Sequence, residues 1–366
     1  MTRQEVWVNR GNFRNTHIVE GPVPDVAEGE ILLAVESFAL TANNVSYALS
    51  GDMIGYWGYF PAEGHWGKVP AWGYARVLAS RCADIAEGER LWGFLPMATH
   101  LVVQPGHVSA NGLVDVAGHR KALPALYNGY TRTLADPPTL ADLQHERSLL
   151  FPLFATSYLL YDYLVDNDFF AAAQVIIGSA SSKTAFGLAR LLYSDSDSDS
   201  DSGRGVSVCG LTSASNVDFA ATLDAYHSVL PYEDVDRVAA DAPAVFVDMA
   251  GDAALTAAVH QRLGDQLVQS IKVGATHWEA PGAGDEALPG PAPAFFFAPA
   301  HIARRDKEWG QGVVMQRALS ASADLSRGMR GLIQIEEKRG ADAVIDTWTS
   351  LLDNRLPPSL GMILSL

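Results

Sequence analysis

Val175-Ile176-Ile177-Gly178-Ser179-Ala180-Ser181-Ser182-Lys183-Thr184-Ala185-Phe186-Gly187 carries the strongest local signal in the chain. Three apolar residues run into a stretch of small side chains, and a helical pattern opens directly behind them over Lys183 to Tyr193. Small residues let backbone approach a ligand closely, and a helix N-terminus presents amide N–H groups with a dipole that favours negative charge. The turn therefore suits the pyrophosphate of a dinucleotide, with Gly187 allowing the helix to pack closely on the sheet. It is not a G-x-G-x-x-G string, so its weight comes from its place at a strand-to-helix crossing. Lys183 sharpens the reading. A cation in the first turn of a helix costs about 0.3–1 kcal/mol against the dipole, and a bound anion would offset that cost. A solvent-directed lysine costs almost nothing, so both readings stay open at this point.

The same alternation continues downstream. Val206-Ser207-Val208 precedes a helical stretch over Asn216 to Leu223, and Val229-Leu230 follows. Ala244-Val245-Phe246-Val247 precedes a helix over Ala253 to Leu263, and Leu267 to Val273 closes the series. Nearly continuous apolar strands alternating with helices predict a parallel, doubly wound sheet of Rossmann type over about Gln174 to Gly274. Right-handed crossovers then bring the loops after each strand to one edge, where such folds bind ligands. The candidate cofactor-binding residues are those of that edge. They are Gly178, Ser179, Ala180, Ser181, Ser182, Lys183 and Thr184 after the first strand, and Thr212, Ser213 and Asn216 after the second. Met249, Ala250 and Gly251 follow the fourth strand, and Gly274 and Ala275 the fifth. Enzymes that use NAD usually place an Asp or Glu at the end of the second strand for the ribose 2′-hydroxyl. Here the stretch Val208 to Asn216 offers hydroxyls and an amide, and the first acid is Asp218, inside the next helix. An acid-free, donor-rich strand end near Lys183 favours a 2′-phosphate and hence NADP(H). The plainer reading has Ser215 or Asn216 capping the following helix. His277 stands alone at a strand end, where a structural hydrogen bond is more usual than catalysis.

Outside this region the pattern is different. The first 150 residues are β-rich and irregular, with strands expected at Glu30 to Val35 and Ala98 to Val103. Trp57, Tyr59, Phe60 and Trp66 crowd the stretch from Tyr56 to Trp72, either as a loop-covered core or as the wall of a substrate pocket. Ala341 to Leu352 reads as an amphipathic helix, and Gly361 to Leu366 as a strand for the N-terminal β domain to accept. With 366 residues and 48% hydrophobic content, the chain can build two ordinary domains with a sizeable core. The net charge of −16 argues against nucleic acid as a partner. No run of about 18 or more apolar residues occurs, and Met1-Thr2-Arg3-Gln4-Glu5 begins no signal-peptide core, so no membrane partner and a cytoplasmic location are expected. The two cysteines, Cys82 and Cys209, rule out a disulfide framework and a thiolate zinc site. From Ser194 to Ser202 serine and aspartate alternate without interruption. This is read as a solvated loop; Ca²⁺ is the alternative, although the tract lacks an EF-hand glycine and terminal glutamate.

Several of these strings, taken together, resemble one family. They are Ser181-Ser182-Lys183-Thr184, Gly210-Leu211-Thr212-Ser213 and Val273-Gly274-Ala275-Thr276-His277-Trp278. To them are added Ala39-Leu40-Thr41-Ala42-Asn43-Asn44-Val45-Ser46-Tyr47 with Gly51, Phe154-Ala155-Thr156-Ser157-Tyr158 and the closing Gly361 to Leu366. The chain resembles the bacterial DUF2855 family, within the zinc-free medium-chain dehydrogenase/reductase superfamily near the quinone oxidoreductases. That resemblance implies an α/β fold, with a GroES-like β-rich domain plus a doubly wound Rossmann domain with a parallel sheet. Residues 1–150 would form the GroES-like catalytic domain and 151–299 the NADP-binding domain, with 300–366 returning to the first. Tyr47 would lie beside the nicotinamide, Thr156 near the same ring and Tyr232 near the adenosine. Asn43 and Asn44 fall where the quinone oxidoreductases keep an active-site asparagine, so Tyr47 and Asn44 are the catalytic candidates. The alcohol-dehydrogenase branch has a ligand Cys here and a Gly-His-Glu further on. This chain has no Cys there and reads Ala71-Trp72-Gly73-Tyr74-Ala75, which argues against catalytic zinc. The implied activity is hydride transfer from NADPH to a carbonyl, quinone or activated alkene; the alternative is a non-catalytic NADPH-binding protein. The expected partner is a small-molecule substrate, apolar or planar given the aromatic density. The resemblance also suggests a homodimer through the edge of the nucleotide-binding sheet, with Ala294-Phe295-Phe296-Phe297 as a late strand there or as an interior strand.

Overall fold

Six strands form one parallel sheet: Gln174–Gly178, Ser207–Thr212, Ser228–Pro231, Ala244–Asp248, Leu267–Lys272 and Ala294–Phe295. In space they lie in the order third, second, first, fourth, fifth, sixth, every neighbouring pair parallel. This is the doubly wound arrangement, and its direction reverses between the first and fourth strands. The computed structural model describes residues 2–196, 205–273 and 288–366. They divide into two units, Met1–Pro152 with Ile333–Leu366, and Leu153–Leu332, which contains the parallel sheet. Gly274, Ala275, Thr276, His277 and Trp278 lie outside the described residues, as does most of the Ser-Asp tract.

Every residue of Gln174–Gly178 and of Ala244–Asp248 is buried. The continuous Val/Ile/Phe runs are therefore strands covered on both faces, as a parallel sheet requires. The register aligns their C-terminal ends. Gly178 stands opposite Leu211 on one side and Asp248 on the other, Thr212 opposite Pro231, and Asp248 opposite Lys272. The turns that follow these strands thus share one edge. Among the described residues Ala294–Phe295 pairs only with the fifth strand, at the edge of the sheet, with Phe295 and Phe297 exposed.

A long helix, Gln144–Asp166, precedes the sheet and has Pro152 inside it. Its length and composition would suit a membrane crossing, although polar residues interrupt its apolar ones. However, 61% of its most apolar 18-residue window is buried inside the protein, as in the core helix of a folded domain. Helix Ala298–Trp309 is tied to its C-terminal half, because Asp162 Oδ2 accepts from Arg305 Nε and meets His301 Nε2, each at 2.6 Å. Helices Ala298–Trp309 and Val313–Gly328 both belong to Leu153–Leu332, and the chain re-enters the other unit at Ile333.

That other unit is antiparallel at heart. Ile31–Leu40 pairs with Pro70–Ser80 and His100–Val103, and Pro70–Ser80 pairs in turn with Arg90–Pro96. Leu360–Ser365 joins the same sheet antiparallel to Ile31–Leu40. Helix Ala341–Leu352 sets Trp348 into a core with Val6, Val8, Phe38, Leu40, Trp57 and Leu364. The Trp348 indole N–H also donates to the Phe13 carbonyl at 2.8 Å.

Candidate cofactor and catalytic sites

The chain leaves the first parallel strand through Ser179, whose φ of +57° lies in the left-handed region usually left to glycine. That residue turns the backbone sharply. The Ala180 N–H then donates to the Leu211 carbonyl at 2.9 Å, and the Ser182 N–H to the Ser179 carbonyl at 2.8 Å. Ser182 Oγ accepts from the Ala185 N–H at 3.3 Å, capping helix Lys183–Ser196 at its entry. Two glycines let the turn sit where it does. A Cβ on Gly210 would come within 2.8 Å of Ala180 Cβ, and one on Gly187 within 2.6 Å of Ser157 Oγ and 2.7 Å of Phe154 Cδ1. Gly187 thus packs its helix against helix Gln144–Asp166, not against the sheet as the sequence suggested. Ser157 Oγ donates to the Thr184 carbonyl at 2.8 Å, and half-buried Thr156 is the residue before it.

The other strand ends close on this turn. Ser181 Oγ accepts from Thr212 Oγ1 at 3.1 Å and from Asn216 Nδ2 at 3.2 Å, stitching the second strand end to the first. Asn216 heads helix Val217–Thr222 without capping it through its side chain, and the Ser215 hydroxyl meets Ser213 Oγ at 3.2 Å. The expected side-chain cap is therefore replaced by a bond across the strand ends. Tyr232, just after the third strand, hydrogen-bonds Ser179; burial raises its phenol above the usual tyrosine range, and the Ser179 contacts oppose that rise. After the fourth strand, buried Asp248 organises Met249, Ala250 and Gly251. Its Oδ1 accepts from the N–H groups of Ala250 (3.0 Å) and Gly251 (2.8 Å), and its Oδ2 from Thr256 Oγ1 at 3.2 Å. Burial pushes the Asp248 carboxyl up, and these three donors work against that. Half-buried Lys183 is pushed down to about 8 by desolvation. Asp218, the first acid after the second strand, is exposed on its helix.

The catalytic candidates lie in the antiparallel unit. Thr41 caps helix Ala42–Leu49 with a reciprocal pair: its Oγ1 accepts from the Asn43 N–H at 3.2 Å, and Asn44 Oδ1 accepts from the Thr41 N–H at 2.7 Å. The Asn44 amide donates to the Pro70 carbonyl at 2.8 Å, so both ends of this buried side chain are engaged in fixing the helix to strand Pro70–Ser80. One turn on, Tyr47 enters an aromatic cluster, its ring 4.6 Å from Tyr56, 5.4 Å from Phe94 and 6.3 Å from Tyr127. Trp72 Nε1 donates to the Tyr47 hydroxyl at 3.2 Å, and the Tyr56 and Tyr127 hydroxyls meet at 2.8 Å. Trp72 stacks on Trp92, centroids 4.8 Å apart. Burial raises the Tyr47 phenol far above its usual range, reinforced by Tyr127, while bonds from Trp72 and Asn43 favour the phenolate.

The aromatic stretch read as one cluster in the sequence divides three ways. Tyr56, Tyr59 and Phe60 join Tyr47, Trp57 joins the core around Trp348, and Trp66 packs against His17 and His65. Among the described residues no group of three or more His, Cys, Asp or Glu side chains could hold a metal ion. Trp72, Asp248 and Tyr226, whose hydroxyl donates to the Ala180 carbonyl at 2.8 Å, were not singled out in the sequence. Only Asp248 left a local trace, an acid placed to accept from backbone two and three residues on.

The family model "Protein of unknown function (DUF2855)" matches residues 38–357. No curated protein matches. Among solved structures, CurA from Vibrio vulnificus, in complex with NADPH, superposes with a TM-score of 0.61 at 13% identity, over 99% of this chain and 98% of that one. The YhdH oxidoreductase from Salmonella enterica, in complex with NADP, gives 0.53 at 12% identity over 99% of each chain. Etr1p in its complex with NADP and crotonyl-CoA gives 0.58 at 9% identity over 100% of each. At these identities the likeness establishes the fold alone: a GroES-like β-rich unit plus a doubly wound Rossmann unit with a parallel sheet.

Proposed function

We propose that this chain, which belongs to the DUF2855 family, is an NADPH-dependent oxidoreductase that passes hydride to a carbonyl, a quinone or an activated alkene without a metal ion. The observation that carries the reading is the acid-free end of the second strand, Leu211 to Asn216, taken with Lys183. The fit to a phosphorylated dinucleotide rests on three features of that edge. Gly210 leaves room for the Ser179–Ser182 turn, where a Cβ would collide with Ala180. A fourteen-residue helix opens immediately behind the turn, its positive dipole end at Lys183. Lys183 is pushed down to about 8 by desolvation, and an anion beside it would raise that value and favour the ammonium. Three structural relatives were solved with NADPH or NADP, and one of those also holds an enoyl thioester.

Bound there, NADPH supplies the hydride. Gly178 to Lys183 take the pyrophosphate, and Ser213, Ser215 and Asn216 flank the ribose whose 2′-phosphate an acid would repel. Tyr232, anchored on Ser179, borders the adenosine, and the Asp248-ordered backbone of Met249 to Gly251 lines the way towards the nicotinamide. Tyr47 donates a hydrogen bond to the oxygen that gains charge when the substrate carbonyl is reduced. Asn44 is a positioning residue for the helix that carries it.

Tryptophan-fluorescence titration with NADPH and NADH tests the cofactor half, and NADPH should bind at least about tenfold more tightly. Turnover against a panel of quinones, enals and ketones tests the rest. Tight NADPH binding with no oxidation across that panel would leave the non-catalytic NADPH-binding reading standing instead.

A further inference from the structure

The Tyr47 hydroxyl has an unusual set of neighbours. An indole N–H can only donate, so the 3.2 Å contact with Trp72 Nε1 makes the Tyr47 oxygen the acceptor. Asn43 sits one helical turn before Tyr47, at the i, i+4 spacing that brings side chains together on one face. Its bond to the phenol favours the phenolate, so it too donates to that oxygen. The bond from Asn44 to the Pro70 carbonyl fixes the helix two residues before Trp72 on the neighbouring strand. Stacking on Trp92 fixes the plane of the Trp72 ring.

We infer that Trp72 and Asn43 are positioning residues that fill the acceptor side of the Tyr47 hydroxyl and leave it a hydrogen-bond donor only. The inference rests on the proposed reductase reading and assigns this role to a tryptophan in the stretch where the zinc-dependent branch carries its Gly-His-Glu. A phenol held in this way cannot turn to accept from a substrate hydroxyl or from water. Its O–H is left to donate, and where it bonds an oxygen gaining negative charge the indole and amide stabilise the phenol oxygen as that bond strengthens. The substrate class this favours is one whose reduction places charge on oxygen, a ketone, quinone or enone.

A ring-fluorinated tyrosine installed at position 47, acidic enough to titrate in an accessible range, reports the inference directly in the full-length protein saturated with NADPH. Trp72→Phe keeps the stacked ring and removes the N–H, and Asn43→Ala removes the amide. Each should raise the titration of residue 47 by about one pH unit, the worth of one lost hydrogen bond. Trp72→Phe should also lower kcat about tenfold with KM within about twofold, and add nothing in the Tyr47→Phe background. A titration unmoved by both substitutions overturns the inference, whatever the activity. A Tyr47→Phe variant that turns over like the wild type overturns the reductase reading of Tyr47, leaving the titration result to stand by itself.

Discussion

At the edge of the parallel sheet, the polar groups that meet come mostly from turns of a few residues. Ser179 to Lys183, Asp248 to Gly251 and Tyr232 each follow directly on a strand end that the sheet register has already aligned. In the antiparallel unit, Tyr47 meets Trp72, Phe94 and Tyr127, brought together from four separate stretches of chain. The first site is local geometry repeated along a sheet; the second is a convergence of large side chains held by a core. Substitutions should therefore act on them through different physics: backbone and charge at one, packing at the other.

The sharpest way to break this contrast is Trp348→Ala, which empties a fully buried site in the core around Val6, Phe38 and Trp57. A loss of about 3–5 kcal/mol is expected in chemical denaturation. Affinity for NADPH measured on the folded fraction should stay within about threefold of the wild type, because the strand-edge turns do not draw on that core. Next in size is Lys183→Met, which should weaken NADPH binding by about 1.5–3 kcal/mol in titrations near neutral pH, the range for a hydrogen bond to a charged group. The pH dependence has a definite sign. Below about 8 the wild-type ammonium is already formed and binding is strongest; above it a proton must be taken up, so affinity falls as pH rises. The Met variant should show no such decline. Gly210→Ala comes third. Its new Cβ at 2.8 Å from Ala180 should displace the turn, costing about 1–3 kcal/mol in thermal unfolding and weakening NADPH more than NADPH-independent properties. The smallest effect is expected at Ser179. Ser179→Gly relieves a left-handed serine that costs roughly 1–2 kcal/mol but loses its link to Tyr232 and adds chain entropy. A net stabilisation of no more than about 1 kcal/mol is expected by denaturant titration.

The same contrast explains what could be read in the sequence. The strands at Val175 and Ala244 announce themselves as continuous apolar runs, because a strand covered on both faces has no polar side to interrupt it. Their turns lie next to them in the chain, so Gly178, Ser181, Lys183 and Asn216 could be named from the string alone. What Asn216 does there could not: its bond to Ser181 depends on how two strand ends are aligned, which no local pattern records. Gly187 was likewise legible as a point of close packing, though not as one facing helix Gln144–Asp166. Trp72 and Tyr127 lack periodicity or spacing that ties them to Tyr47. The aromatic run from Tyr56 to Trp66 even misleads, since neighbours in sequence go to two different cores and, for Trp66, to a pair of histidines outside both.

The pairing of Leu360–Ser365 with Ile31–Leu40 also sets an order of events during synthesis. A ribosome delivers all of Leu153–Leu332 after the first strands of the antiparallel unit and before the residues that finish it. The Phe38–Leu40 end of strand Ile31–Leu40 and the core around Trp348 lack these late partners while the parallel sheet is made. Domains generally fold as units during translation, N-terminal first, whereas in this chain the unit Leu153–Leu332 is the first to be delivered whole. An unpaired strand edge waiting through that interval is an opening for association with other chains. A cell making this protein would gain from anything that shields residues 38–40 until residues 362–364 have emerged.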